Sequence, residues 1–135
     1  MDFQLHPQLA ADTTPVGELP LCRLLLMNDR QYPWTILVPR RAGLREIHEL
    51  EAADLQQFWR ESAQLGRALM ALFKGDKLNV AALGNRVPQL HVHHIVRFAT
   101  DPAWPAPVWG RLPAKLYTAD ELAQRVQSIR KALSL

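Results

Sequence analysis

The stretch Gln89-Leu90-His91-Val92-His93-His94-Ile95-Val96-Arg97 constrains this chain more than any other. Three of the five histidines fall within it. Leu90, Val92, Ile95 and Val96 are strand formers with no glycine or proline between them, so the pattern predicts a buried strand over 89–97. Side chains along a strand alternate between its faces. One face then carries Gln89, His91, His93, Ile95 and Arg97, and the other carries Leu90, Val92, His94, Val96 and Phe98. The first is a row of nitrogen groups ending in a cation, and the second is apolar apart from His94. A polar row on so hydrophobic a strand needs partners, and those partners can be a ligand.

The elements around this strand follow from periodicity and breakers. Residues 1–20 read as loop, with Pro7, Pro15, Gly17 and Pro20 as breakers. Residues 21–27 and 34–38 are strands joined by a short polar turn, which suggests an antiparallel hairpin. The basic loop 40–45 reads as a solvated surface. A helix over 51–73 buries the face bearing Leu55, Phe58, Ser62, Leu65, Leu69, Leu72 and Phe73, with Gly75 as its stop. This helix reads as scaffold. Residues 78–83 form a further strand, and 84–88 turn into the histidine strand. The loop 101–110 holds three prolines and two tryptophans, whose area calls for burial. Thr118-Ala119-Asp120-Glu121 is a capping box for a last helix with Leu122, Val126, Ile129 and Leu133 on its apolar stripe.

At 135 residues the chain reads as one domain, 1–135, with an ordinary soluble composition and a net charge of +3. A mildly basic balance suits anionic ligands such as nucleotides. The lone Cys22 excludes an internal disulfide and lies in an apolar run, as an inert buried thiol would. No signal-like start and no apolar run near the ~20 residues of a membrane span is present, so the expectation is a cytoplasmic protein with no membrane partner.

The histidines admit several chemistries. His94, alone on an apolar face, reads as a core residue hydrogen-bonded to a backbone carbonyl, so His94→Val is expected to be tolerated. His91 and His93, two apart on one face, have Cβ atoms roughly 6–7 Å apart and can address one small ligand. Two such histidines supply only part of a zinc site, and His6, His48 and Cys22 lie elsewhere in the sequence. The other option is a neutral imidazole attacking phosphorus, with amide, imidazole and backbone N–H groups stabilising the phosphoryl oxygens. The turn Gly84-Asn85-Arg86 would offer such donors beside His91. No Walker-type loop or dinucleotide-binding glycine pattern is present.

The run Gly84-Asn85-x-Val87-x-Gln89-Leu90-His91-Val92-His93 resembles the histidine-triad (HIT) motif, which alternates three histidines with apolar residues. Leu37-Val38-Pro39-Arg40-Arg41 and Leu26-Met27-Asn28-Asp29 are similar to other segments of that family, and Ile47-His48-Glu49-Leu50 resembles the lead-in to its first helix, particularly in the dinucleoside-polyphosphate hydrolase branch. The match covers about residues 20–100, leaving 101–135 as a C-terminal loop and helix. The resemblance implies an α+β fold with an antiparallel sheet, one main helix and a C-terminal helix, usually as a homodimer. It implies a small-molecule nucleotide as partner and hydrolysis or transfer through a nucleotidyl-histidine. His91 would be the nucleophile and His93 would assist at the phosphate. Asn28 or Asp29 would meet the ribose, and Asn79 and Asn85 the phosphates or leaving group. No cofactor and no protein-bound metal is implied, beyond a divalent ion accompanying a polyphosphate substrate. Gln89 stands where the first histidine of the motif belongs, with an amide that cannot take up a proton. The alternative is therefore a nucleotide-binding protein with weak or no catalysis. Nucleic-acid ends are the least favoured partner. His94 replaces an apolar residue, and Ala42 a histidine common in other branches.

Overall fold

In the computed structural model, which describes residues 2–135, the strands form one antiparallel sheet of five. They are β1 (Thr13–Glu18), β2 (Cys22–Met27), β3 (Trp34–Pro39), β4 (Lys77–Ala81) and β5 (Val92–Arg97), in the order β1-β2-β3-β5-β4. Three helices accompany them: α1 (Pro7–Asp12), α2 (Ala52–Phe73) and α3 (Ala119–Ala132). The fold class is α+β, as the HIT resemblance implies. Among the described residues, no helix is long and apolar enough to cross a membrane.

The three central strands are buried on both faces. One face packs Leu24, Leu26, Leu37, Val92 and Val96 against Phe58, Leu65 and Leu69 of α2, Ile129 of α3 and Leu133 at its C-cap. The other packs Leu25, Ile36, Val38 and Ile95 against Leu9, Tyr32, Trp34, Ala103 and Val108, with Phe3 and Leu5 alongside. Helices thus cover one face, and the N-terminal segment and the 101–110 loop cover the other. The alternation read from the sequence holds: Leu90, Val92 and Val96 face the helices, and His93, opposite Ile36 in the ladder, shares the face of Ile95. The Thr118–Glu121 capping box and the stripe of α3 are as expected.

Three local expectations need correction. Residues 7–18 are not loop. Pro15 and Gly17 read as breakers, but β1 lies at the sheet edge and its register slips between them, where a missing N–H and a bulge are tolerated. The histidine strand begins only at Val92, and the strand before it runs Lys77–Ala81 and not 78–83. Helix α2 ends on Lys74, which takes the left-handed conformation at φ 53°. Gly75 serves close packing instead, since a Cβ there would lie 2.2 Å from Val96 Cγ1. The loop 40–45 is largely exposed, as read, with Arg40 paired to Glu18 and Arg41 to Asp54 at its surface.

Most polar groups in the core are matched; among the described residues the Tyr32 hydroxyl, Arg40 Nε and His93 Nε2 are buried without a hydrogen-bond partner. Glu61 of α2 accepts from the Leu21 and Cys22 backbone N–H groups, both at 2.8 Å, and staples the helix to the start of β2. The Cys22 thiol beside it is fully buried, which pushes its pKa up and leaves it inert. His94 donates from Nδ1 to the Val92 carbonyl at 3.2 Å, so its Nε2 accepts the Ser62 hydroxyl at 2.7 Å. Burial lowers its pKa to about 4, against the Val92 carbonyl. Arg97 is 2% exposed. It binds Asp101 through two hydrogen bonds of 2.9 and 3.0 Å, Asn79 Oδ1 at 2.9 Å and the Ala106 carbonyl at 2.8 Å. Asp101 also accepts from the backbone of Phe98, Ala103 and Trp104. Burial raises its pKa, but Arg97 and these N–H groups outweigh that and hold it low.

The Ser62 bond reverses the expectation for His94→Val. That variant strands a buried hydroxyl, and urea unfolding at pH 7 is expected to show a loss of about 1–3 kcal/mol, most of it recovered by adding Ser62→Ala. The buried His94 resists protonation while the unfolded chain binds a proton near pH 6.5. Its stability contribution is therefore present above that pH and is lost as the pH falls toward about 4. The double variant should lose this part of the acid sensitivity. Asp101→Ala leaves the Arg97 cation buried and unpaired, and the same assay is expected to show about 3–5 kcal/mol of destabilisation.

Candidate active site

The two histidines of the polar row meet at the start of β5. His91 and His93 are 6% and 3% exposed, with ring centroids 5.1 Å apart. His91 lies just before the strand and is held through its neighbour, since the Leu90 N–H donates to the Leu44 carbonyl at 2.9 Å. Gly84 packs against it, 3.7 Å from its Cε1 to a Cβ that glycine lacks.

The tautomer of each ring follows from its partner. His91 Nδ1 lies 2.7 Å from the Gln89 carbonyl, which can only accept. The proton therefore sits on Nδ1, and Nε2 keeps a free lone pair. His93 Nδ1 lies 2.9 Å from the indole Nε1 of Trp34, which can only donate. Nδ1 is then the acceptor and the proton sits on His93 Nε2. That Nε2 is buried and closes no hydrogen bond of ordinary geometry among the described residues, with the Leu83 carbonyl near enough only to bear on its charge. Burial lowers the pKa of both rings. His91 falls below the ordinary histidine value, with the Gln89 carbonyl opposing and His6 reinforcing the shift. His93 falls to about 3, driven by burial, then by His91 and His94, with the Leu83 carbonyl pulling the other way. Both are neutral at pH 7. The arrangement offers one imidazole as nucleophile and a second as fixed hydrogen-bond donor.

Two hollows flank the pair. One, of ≈ 300 Å³, is bounded by Arg45, Gly84, Asn85, Gln89 and His91. The other, of ≈ 380 Å³, includes Asn28, Asp29, Trp34, Val108 and Trp109. Trp109 meets His93 edge-on at 5.0 Å and Trp34 at 5.9 Å, so the tryptophans form an apolar wall between the second hollow and the histidines. Among the described residues, no group of three or more His, Cys, Asp and Glu side chains is placed to hold a metal ion.

The structure sorts the residues singled out from sequence. Asn85 lies beside His91 in the first hollow. Asn28 and Asp29 line the second, Asn28 accepting from Thr14 Oγ1 at 2.7 Å. Asp29 is 4% exposed, and its Oδ1 accepts from Gln31 and from the Lys115 backbone, which ties the turn to the C-terminal segment. Asn79 spends its carbonyl oxygen on Arg97 and is not brought to the histidines. Gln89 touches His91 through its main chain, while its side chain binds the N-terminal segment. Sequence reasoning missed Trp34. Its signal lies in parity: Trp34 pairs with Ile95 across the β3–β5 ladder and so shares the face of His93.

The comparisons agree with this geometry. The HIT domain matches residues 8–100. A histidine triad protein from Marinobacter aquaeolei VT8 is 54% identical over 99% of this chain and 98% of its own, with a TM-score of 0.97. A histidine triad protein from Bradyrhizobium japonicum is 43% identical over 98% and 99%, at 0.96. A histidine triad protein from Sinorhizobium meliloti 1021 is 41% identical over 97% of each chain, at 0.95. A hypothetical histidine triad nucleotide-binding protein from Sulfolobus tokodaii is 16% identical at 0.69 and shares the fold alone. Comparison with curated proteins finds no match. With a matching domain over most of its length and relatives of this identity, the chain belongs to the HIT domain family, whose members are in general nucleotide hydrolases or transferases.

Proposed function

We propose that this protein is a nucleotide phosphohydrolase or nucleotidyl transferase acting at the α-phosphate of adenosine nucleotides and dinucleotides. The observation that carries the reading is the pair of opposed tautomers: a free Nε2 lone pair on His91 beside an unpartnered Nε2–H on His93. In this reading His91 Nε2 attacks the α-phosphorus as the bond to the leaving group breaks, the P–O bond of a polyphosphate or the P–N bond of a phosphoramidate, whose amine takes a proton from solvent as it departs. The ring becomes a cation, and its Nδ1–H bond to the Gln89 carbonyl strengthens as charge develops. The His93 Nε2–H donates to a phosphoryl oxygen, in a water-poor setting where such bonds count for more. Water or another acceptor then attacks phosphorus, the N–P bond breaks, and His91 returns to its neutral form.

The hollows suit the two ends of such a substrate. The base would lie against Trp109 and Trp34 with the ribose toward Asn28 and Asp29. The leaving group would lie toward Asn85 and Arg45. Dinucleoside polyphosphates and nucleoside phosphoramidates both fit this division. A divalent ion enters only with a polyphosphate substrate. The reading also carries a homodimer, which sedimentation analysis would test.

Gln89 supports catalysis more than its side chain suggests. Its contact with His91 is a main-chain carbonyl, which any residue supplies. Replacing a histidine here leaves that support in place, which weakens the alternative of a binding protein without turnover.

The test is release of AMP from a panel of adenosine polyphosphates and phosphoramidates. His91→Ala is expected to fold and to lose activity by about 10³-fold or more. Nucleotide binding without His91-dependent release would leave the binding-protein reading standing. Because the neutral ring is the reactive form and its pKa is lowered, kcat/KM is expected to hold from pH 8 down past 6.5 and to fall only below it. Trp34→Phe removes the donor that sets the His93 tautomer, and kcat is expected to drop by roughly 10–100-fold with a cooperative melt retained.

A further inference from the structure

Gln89 differs from the rest of the polar row in where its side chain goes. Its Nε2 donates to the Gln4 carbonyl and its Oε1 accepts the His6 N–H, both at 2.8 Å. These two backbone groups flank Leu5. In extended chain they point to the same side, so the Gln89 amide occupies the place that a neighbouring strand's peptide would take. A planar primary amide presents a donor and an acceptor side by side. A carboxylate lacks the donor, and the two nitrogens of an imidazole are separated by a ring carbon and point apart. Glutamine at this position is therefore matched to the arm. The arm is also seated by packing, with Phe3 and Leu5 against the Trp34 cluster and the Arg23 guanidinium 5.3 Å from the Phe3 ring centroid.

The consequence reaches His91 by two short routes. The main chain of residue 89 holds the nucleophile's Nδ1, and the side chain of residue 89 holds the backbone of His6. The His6 ring is oriented in turn, its Nδ1 accepting the Gln8 N–H at 3.0 Å. His6 is also the one residue outside the 89–94 stretch whose charge bears on His91, opposing its protonation. The other ionisable groups about His91 are His93 on β5 and Arg45 and Glu46 in the loop after β3.

We propose that Gln89 is a positioning residue for His91, and that it works by pinning the N-terminal arm, and with it His6, beside the strand end that bears the nucleophile. This rests on the reading of His91 as the nucleophile.

The test uses the full chain and three variants: Gln89→Met, which keeps volume without the amide; Gln89→His, which restores an imidazole at 89; and His6→Asn, which keeps an acceptor for the Gln8 N–H. Imidazole ¹⁵N titration without substrate reads the midpoint of His91, and AMP release against pH reads turnover. The His91 midpoint is expected to rise in Gln89→Met and in His6→Asn. Gln89→Met is expected to lower kcat roughly 10-fold with little change in KM. Gln89→His should fail to restore it, and His6→Asn should move the acid limb of the profile upward. An unchanged His91 midpoint in both Gln89→Met and His6→Asn would overturn the proposal, as would full kcat in Gln89→His. If the wild type releases no AMP, the hydrolase reading falls, and the titration alone decides whether the arm acts on His91.

Discussion

Strand β5 is buried on both faces along its whole length, and it carries three strongly polar side chains into that burial. A polar group taken from water without a partner costs several kcal/mol, so each must be satisfied by something the fold places beside it. His94 has the Val92 carbonyl and Ser62, and Arg97 has Asp101, Asn79 and the Ala106 carbonyl. His93 has Trp34 on one nitrogen and no hydrogen bond of ordinary geometry on the other. Much of the molecule's detail is the answer to this one demand. The single group left over lies at the site, where a ligand has a hydrogen bond to gain.

The same demand links the layers. Asp101 answers the Arg97 charge and, with its backbone bonds, fixes the start of the loop that brings Trp109 against His93. Trp34 answers His93 from β3, across a ladder pairing separated by some sixty positions in the chain. The arm comes in through Gln89. The histidine pair is thus set by a rigid sheet beneath it and by two irregular segments around it. The burial that makes the sheet rigid also keeps both imidazoles neutral at pH 7.

Much of this was legible in the chain because it is local. Alternation alone separated His94 from His91 and His93, although all three look alike in sequence. Periodicity found α2, and Thr118 with Glu121 found the start of α3. Other features escaped because their cause is a distant partner. Pro15 and Gly17 speak against a strand unless the strand is known to be an edge. Gly75 looks like a helix stop until Val96 is seen against it. Asn79 reads as a ligand to phosphate until the buried Arg97 claims it. Gln89 reads as a defective histidine until Gln4 and His6 return to meet it.

By itself the sequence determined which side chains share a face of β5, since a period of two is a property of extended backbone and needs no partner. It also determined helices α2 and α3, whose apolar stripes are written within a few turns, but not the short α1. Only the tertiary structure decided the protonation of each imidazole, because a tautomer is chosen by the donor or acceptor opposite it. Trp34 reaches His93 through strand order, and the Gln89 carbonyl reaches His91 through the local bend that precedes the strand. The histidine pattern marked a candidate site, and the groups opposite each ring decided which nitrogen carries the proton and which keeps its lone pair.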